Sequence, residues 1–321
     1  MSRKFFVTAL LLLFSSASPL WAQDFPAKPV RVVIGFSPGG SVDLVGRILA
    51  QKLGELWGQT VLVENRLGAG GTIAADFVAK SPPDGYTLLL GDISNTAVAK
   101  SLFKTLPYDP LNDFAHVTRL VSFPLVLVAP TTSSVNNFGD LLAQAKSNPG
   151  KFRYSTGGPG TSPHIFLEMM NQMGGIRTDA VHYKGSAPAI AGLLSGDIEF
   201  SASSIPTAKA QIDAGRIRAI AVTGRQSVTS MPNVPPIAAH IKGYEALAFH
   251  GLHAPAKTPA HIVQKLNADA VTVMQRPEVR RQLEQGSMDV ATMSPAEFTT
   301  YMSQQIDLWA KVIDTGKIQP N

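Results

Sequence analysis

Three times in this chain an apolar run breaks on a glycine-rich elbow and gives way to an amphipathic stretch. PVRVVIGFS (29–37) runs into PGG, TVLVE (60–64) into GAGG, and FRYST (152–156) into GGPG. A continuous apolar run is what a strand buried on both faces looks like, and its alternation with helical spacing predicts an open, mostly parallel α/β sheet. In such sheets ligands gather at the carboxyl ends of the strands, where the elbows fall. Apolar positions from Val45 to Leu56 lie on one helical face, with Ser41 placed to cap the helix. The GAGG elbow opens a helix through Ile73, Phe77 and Val78, and Asp84-Gly85 turns the chain into a third strand, YTLLLG (86–91).

After PLVLVAP (124–130) a second series begins. Its elbow has Ser162 as cap and Pro163 in the first helical turn, and is followed by AVHYKG, the helix SAPAIAGLLSG, the strand IEFSAS, the helix PTAKAQIDAG and the strand IRAIAVT. FHGLHAPAKTP then returns to extended structure, and the remainder reads as helices over 258–275, 277–285 and 294–315. The length, 321 residues, exceeds the usual single core, so two lobes are expected. Chain crossings between them are expected near 122–126 and 247–251.

Residues 1–22 have Arg3 and Lys4, an apolar run from Phe5 to Phe14, and small residues up to Ala22, the order of a secretory signal peptide. The formal charge of +5 falls to +3 once those two cations are removed. Lys and Arg are scattered with no basic stripe, which argues against nucleic acid. With no cysteine, disulfides, thiol catalysis and thiolate metal sites are excluded.

The motifs of common enzymes fail on inspection. GAGGTI and GPGTSP lack the last glycine of a dinucleotide fingerprint, and GxxxxGK[ST] does not occur. Ser155, Ser162 and His164 stand close enough in sequence for a hydrolase to remain the alternative reading. His250 and His253 face opposite sides of an extended segment and cannot share a metal, while His164 and Glu168, one helical turn apart, suit a surface or interdomain hydrogen bond. Asp43 reads as a first-turn helix charge.

An elbow with no side chain at two positions lets a ligand approach the first N–H groups of the helix behind it, an anion site in outline. Residues 36–41, 68–73 and 155–162 contain no Lys or Arg, so a carboxylate there would meet N–H groups and hydroxyls. The ordered set FSPGGSVDLVGR, VENRLGAGGTIAADFVAKSPPDGYTLLLG, STGGPGTSPHIFLEMM, VHYKGSAPAIAGLLSGDIEF, AGRIRAIAVT and GLHAPAKTP resembles the Bug receptors, periplasmic solute-binding proteins of tripartite tricarboxylate transporters, over essentially the whole chain after the leader.

That resemblance implies a two-lobed periplasmic binding protein of the Venus flytrap kind, type II-like, each lobe a mostly parallel sheet flanked by helices. It implies residues 23–124 and 250–321 in domain 1 and 125–249 in domain 2. The expected ligand is a small carboxylate (a dicarboxylate, an amino acid or an aromatic acid), with no catalysis, cofactor or metal. The chain would act as a monomer, handing its ligand to the membrane components of a transporter or signalling to a sensor protein. By motif, the first set of ligand contacts would be Ser37, Pro38, Gly39, Gly40, Ala69, Gly70, Gly71, Asp92 and Ser94. The second would be Thr156, Gly157, Gly158, Gly160, Thr161, His164 and Ser203. Asp92 is expected to point outward as a solvated loop acid; inward, it would meet an ammonium or a hydroxyl.

Overall fold

The computed structural model describes residues 25–319; the expected signal peptide, 1–22, lies outside them. The fold is a two-lobed α/β architecture, as the alternation predicts. Its first sheet holds β1 (Val30–Ile34) in parallel between β2 (Val61–Asn65) and β3 (Thr87–Asp92). The second holds β5 (Arg153–Thr156) in parallel between β6 (Asp179–His182) and β7 (Phe200–Ser204). Helices α1 (Ser41–Trp57) and α2 (Thr72–Ala79) follow β1 and β2, while α5 (Ser162–Gly174), α6 (Ser186–Leu194) and α7 (Ile205–Asp213) follow β5, β6 and β7. Between the two series come the short α3 (Ala99–Leu102) and α4 (Phe138–Ser147).

One long strand, β4 (Phe114–Pro130), joins the sheets. Residues 114–124 pair antiparallel with β9 (Leu247–Pro255), which itself pairs with β3. From Leu125 onward β4 pairs instead with β7, and from Val126 also with β8 (Ile217–Val222). The change of partner is tied by Thr223, whose Oγ1 accepts from Leu125 N–H at 2.8 Å while its own N–H donates to Leu125 O at 2.9 Å. The sequence reading recovered only the end of β4, because Phe114–Phe123 carries buried His116 and Thr118 among its apolar residues and loses the apolar pattern of a core strand.

The C-terminal part adds α8 (Ala260–Met274), α9 (Pro277–Glu284), β10 (Asp289–Val290) and α10 (Pro295–Gly316). α10 packs on β4, α3 and α5, and its Trp309 stacks on Phe166 with ring centres 5.2 Å apart. The α1 face is buried at Val45, Ile48, Leu49 and Leu53, whereas Leu56 in the last turn is 40% exposed. In α2 the buried apolar residues are Ala74, Ala75 and Val78, and Ile73 is exposed. Small side chains let this helix sit close against Val33 and Leu89, a face that large apolar residues do not mark.

Candidate functional site

The carboxyl ends of the strands open on a cavity of about 270 Å³. Its lining includes the N-terminal residues of four helices: Gly40, Ser41 and Val42 at α1; Thr161, Ser162 and Pro163 at α5; Gly185, Ser186 and Ala187 at α6; Ser204 and Thr207 at α7. The first N–H groups of each helix have no intrahelical acceptor and carry the positive end of its dipole. Four such ends aimed at one cavity make a positive potential there in addition to any charged side chain. Phe36, Phe123 and Leu125 supply an apolar wall.

The first elbow is fixed from behind by Asp43. This carboxylate, 4% exposed, accepts from Gly39 N–H at 3.0 Å, from Arg47 at 2.9 and 3.0 Å, and from Asn65 Nδ2 at 3.2 Å. Burial raises its pKa, but those hydrogen bonds outweigh it and hold the carboxyl below the usual carboxylate range. The Gly39 donor is therefore already taken. Among the described residues, Gly40, Ser41 and Val42 donate to no backbone atom outside the helix. Ser41 is the first helical residue rather than the cap, a role that falls to Gly40; its hydroxyl is 3.0 Å from His250 Nε2. The cap of α5 is likewise Thr161 and not Ser162.

Eight of the expected contacts line the cavity: Ser37, Pro38, Gly39, Gly40, Asp92, Gly157, Thr161 and Ser203. Ala69, Gly70, Gly71, Ser94, Thr156, Gly158, Gly160 and His164 lie outside that lining. The GAGG turn stacks behind β1, close enough that a Cβ on Gly35 would come within 2.5 Å of Gly71 Cα. Ser94 is occupied with Asp92, donating its N–H and Oγ to Oδ1 at 3.0 and 2.6 Å. Gly158 donates to Thr156 Oγ1 at 3.1 Å, and Gly160 donates to His164 Nδ1 at 3.0 Å, so the third elbow spends those donors on itself.

The orientation of Asp92 overturns the outward expectation. The residue is 7% exposed and faces the cavity, with Oδ2 3.4 Å from Nδ1 of the fully buried His250. Its place at the end of β3, followed by the tight turn through Ser94 and Asn95, draws the side chain inward: Asn95 Oδ1 accepts from Asp92 N–H at 2.9 Å.

No hydrogen bond among the described residues joins Ser155 or Ser162 to His164. His164 instead packs edge-on against His182, and burial, with His182 adding to it, lowers it to about 3. Glu168 accepts from Tyr154 Oη, apart from His164. The sequence reading missed the elbow YKGSAP, which brings Lys184, Gly185 and Ser186 to the cavity. Its signal was available, since it repeats the pattern of a glycine elbow ahead of an amphipathic helix. Among the described residues the lining has one cation, Lys184, and one anion, Asp92.

Comparison with known proteins bears on the family and the fold. The family described as "Tripartite tricarboxylate transporter family receptor" matches residues 45–318. Protein BugT of Bordetella pertussis is 33% identical over 94% of this chain and 93% of its own length. An R. palustris protein solved with adipate superposes with a TM-score of 0.88 at 31% identity, covering 93% of this chain and all of that one. MatC from Rhodopseudomonas palustris, solved with bound malate, gives 0.82 at 29% identity over 90% of this chain and all of that one. With a match over so much of its length, and with helix N-termini converging on a cavity between two sheets, this chain belongs to the tripartite tricarboxylate transporter receptor family of periplasmic solute-binding receptors.

Proposed function

We propose that this protein captures a small carboxylate between its lobes in the periplasm, closes on it, and delivers it to the membrane components of a transporter. The observation that carries the reading is the convergence of four helix N-termini on one cavity. A carboxylate there accepts from preset N–H groups, each dipole contributing about 0.3–1 kcal/mol when exposed and more when enclosed, which suits a ligand that must later be released. Ser203 supports it independently: its Oγ is buried, borders the cavity and has no partner among the described residues. The leader 1–22 would direct export and be removed.

Closure would turn on the two crossings, near 122–126 and 247–251, between a first domain (23–124 with 250–321) and a second (125–249). The change of β4 partner at Leu125 lies within the first of these, and β9 begins within the second. A hinge of two extended segments absorbs rotation with little repacking. In this reading the protein works as a monomer without catalysis, cofactor or metal.

A thermal-shift panel of small mono- and dicarboxylates, inorganic phosphate and neutral sugars tests the ligand class, and solution scattering tests closure. A carboxylate should raise the melting temperature and shrink the radius of gyration. Stabilisation by a sugar or phosphate alone, or an unchanged radius at saturating carboxylate, would overturn the proposal.

A further inference from the structure

A buried carboxylate stands in a cavity otherwise built for an anion. Asp92 Oδ1 is occupied by the two donors of Ser94. Oδ2 receives no hydrogen bond among the described residues; its nearest charged or titratable neighbour is His250 Nδ1 at 3.4 Å, longer than the roughly 2.7–2.9 Å of a charge-assisted bond. Among the described residues no Lys or Arg forms an ion pair with it, and the one lining cation, Lys184, is exposed. A carboxylate withdrawn from water without a cation is costly, and a second carboxylate brought beside it would be repelled.

His250 has Asp92 Oδ2 on its Nδ1 side and Ser41 Oγ on its Nε2 side. His250 Nδ1 makes no hydrogen bond among the described residues, so it leaves Oδ2 without a bonded donor, while Nε2 is hydrogen-bonded to Ser41 Oγ. Asp92 Oδ2, an acceptor without a bonded donor, and Ser41 Oγ lie on either side of this imidazole, and both residues line the cavity. A compact group with several donors and a positive charge complements them, and an ammonium is such a group.

We infer that the ligand is zwitterionic, an amino-substituted carboxylic acid whose ammonium sits against Asp92 and Ser41 while its carboxylate faces the helix N-termini. This inference rests on the proposed carboxylate function and narrows it, separating this chain from receptors for plain dicarboxylates. Phe36, Phe123 and Leu125 leave an apolar wall for the remaining part of the ligand.

Three matched sets decide it by calorimetry: propanoate, lactate and alanine; succinate, malate and aspartate; phenylpropanoate, phenyllactate and phenylalanine. In whichever skeleton binds, the amino member should bind roughly 10- to 100-fold tighter than the plain acid, the value of one well-formed charged hydrogen bond. Asp92→Asn keeps an acceptor for Ser94 and should bring the two within about threefold. The wild-type panel alone is decisive if that variant fails to fold. Tightest binding by a plain or hydroxy acid overturns the zwitterion inference and leaves the carboxylate function standing; binding by none of the nine overturns both.

Discussion

Replacing Asp43 by Ala tests whether the first elbow is preset by the fold or shaped by its ligand. The side chain is buried and gathers three donors: the Gly39 N–H at 3.0 Å, Asn65 Nδ2 at 3.2 Å and the Arg47 fork at 2.9 and 3.0 Å. Hydrogen bonds to a charged group are worth about 1.5–3 kcal/mol each when buried. Arg47, with its side chain 56% exposed, counts for less than about 1 kcal/mol because solvent screens it. Asn65 keeps a second acceptor in Phe36 O at 2.9 Å, so its loss is partial. The expected destabilisation is about 2–4 kcal/mol, read as the shift in urea midpoint at constant slope. Arg47→Ala should cost under about 1 kcal/mol. Carboxylate affinity of Asp43→Ala should fall about tenfold, since Gly40, Ser41 and Val42 no longer have a fixed approach to the cavity. A stability within about 0.5 kcal/mol of wild type, together with unchanged affinity, would refute the reasoning, because surface changes of no consequence fall in that range.

Two glycine substitutions separate the elbows. Gly40 has φ −83° and ψ 175°, a conformation open to branched residues, and lines the cavity, so Gly40→Val should leave the melting temperature nearly unchanged and weaken ligand binding by more than about tenfold. Gly70 has φ +63°, lies outside the lining and would bring a Cβ to 3.4 Å from Pro159 O, so Gly70→Val should lower stability by about 1–2 kcal/mol and affect affinity less; the reverse pattern would move the site to GAGG. Acid should unfold the protein early. Burial lowers His116 to about 4, His164 to about 3 and His253 well below the ordinary value, so all three stay neutral when folded and take up protons when unfolded below about pH 6.5. Each then costs up to about 1.4 kcal/mol of stability per pH unit as pH falls from about 6.5 towards about 4. Thermal melts that do not change between about pH 7 and about pH 5 would contradict this.

The alternation of apolar runs, elbows and amphipathic stretches determined the α/β class and the two lobes, and it set two of its three elbows at the cavity, because a parallel sheet brings the ends of successive strands to one edge whatever the details of packing. It also placed Ser37–Gly40, Gly157 and Thr161 at the cavity. The tertiary structure alone decided which donors are free. Gly39 and Gly160 look as available in sequence as Gly40, yet Asp43 and His164 consume their N–H groups. The direction of Asp92 rests on a turn through Ser94 and Asn95 and on a histidine 158 positions later in the chain, a pairing that only the register of β3 against β9 creates. Local pattern carries the period of burial; long-range pairing decides which polar groups are left for a ligand.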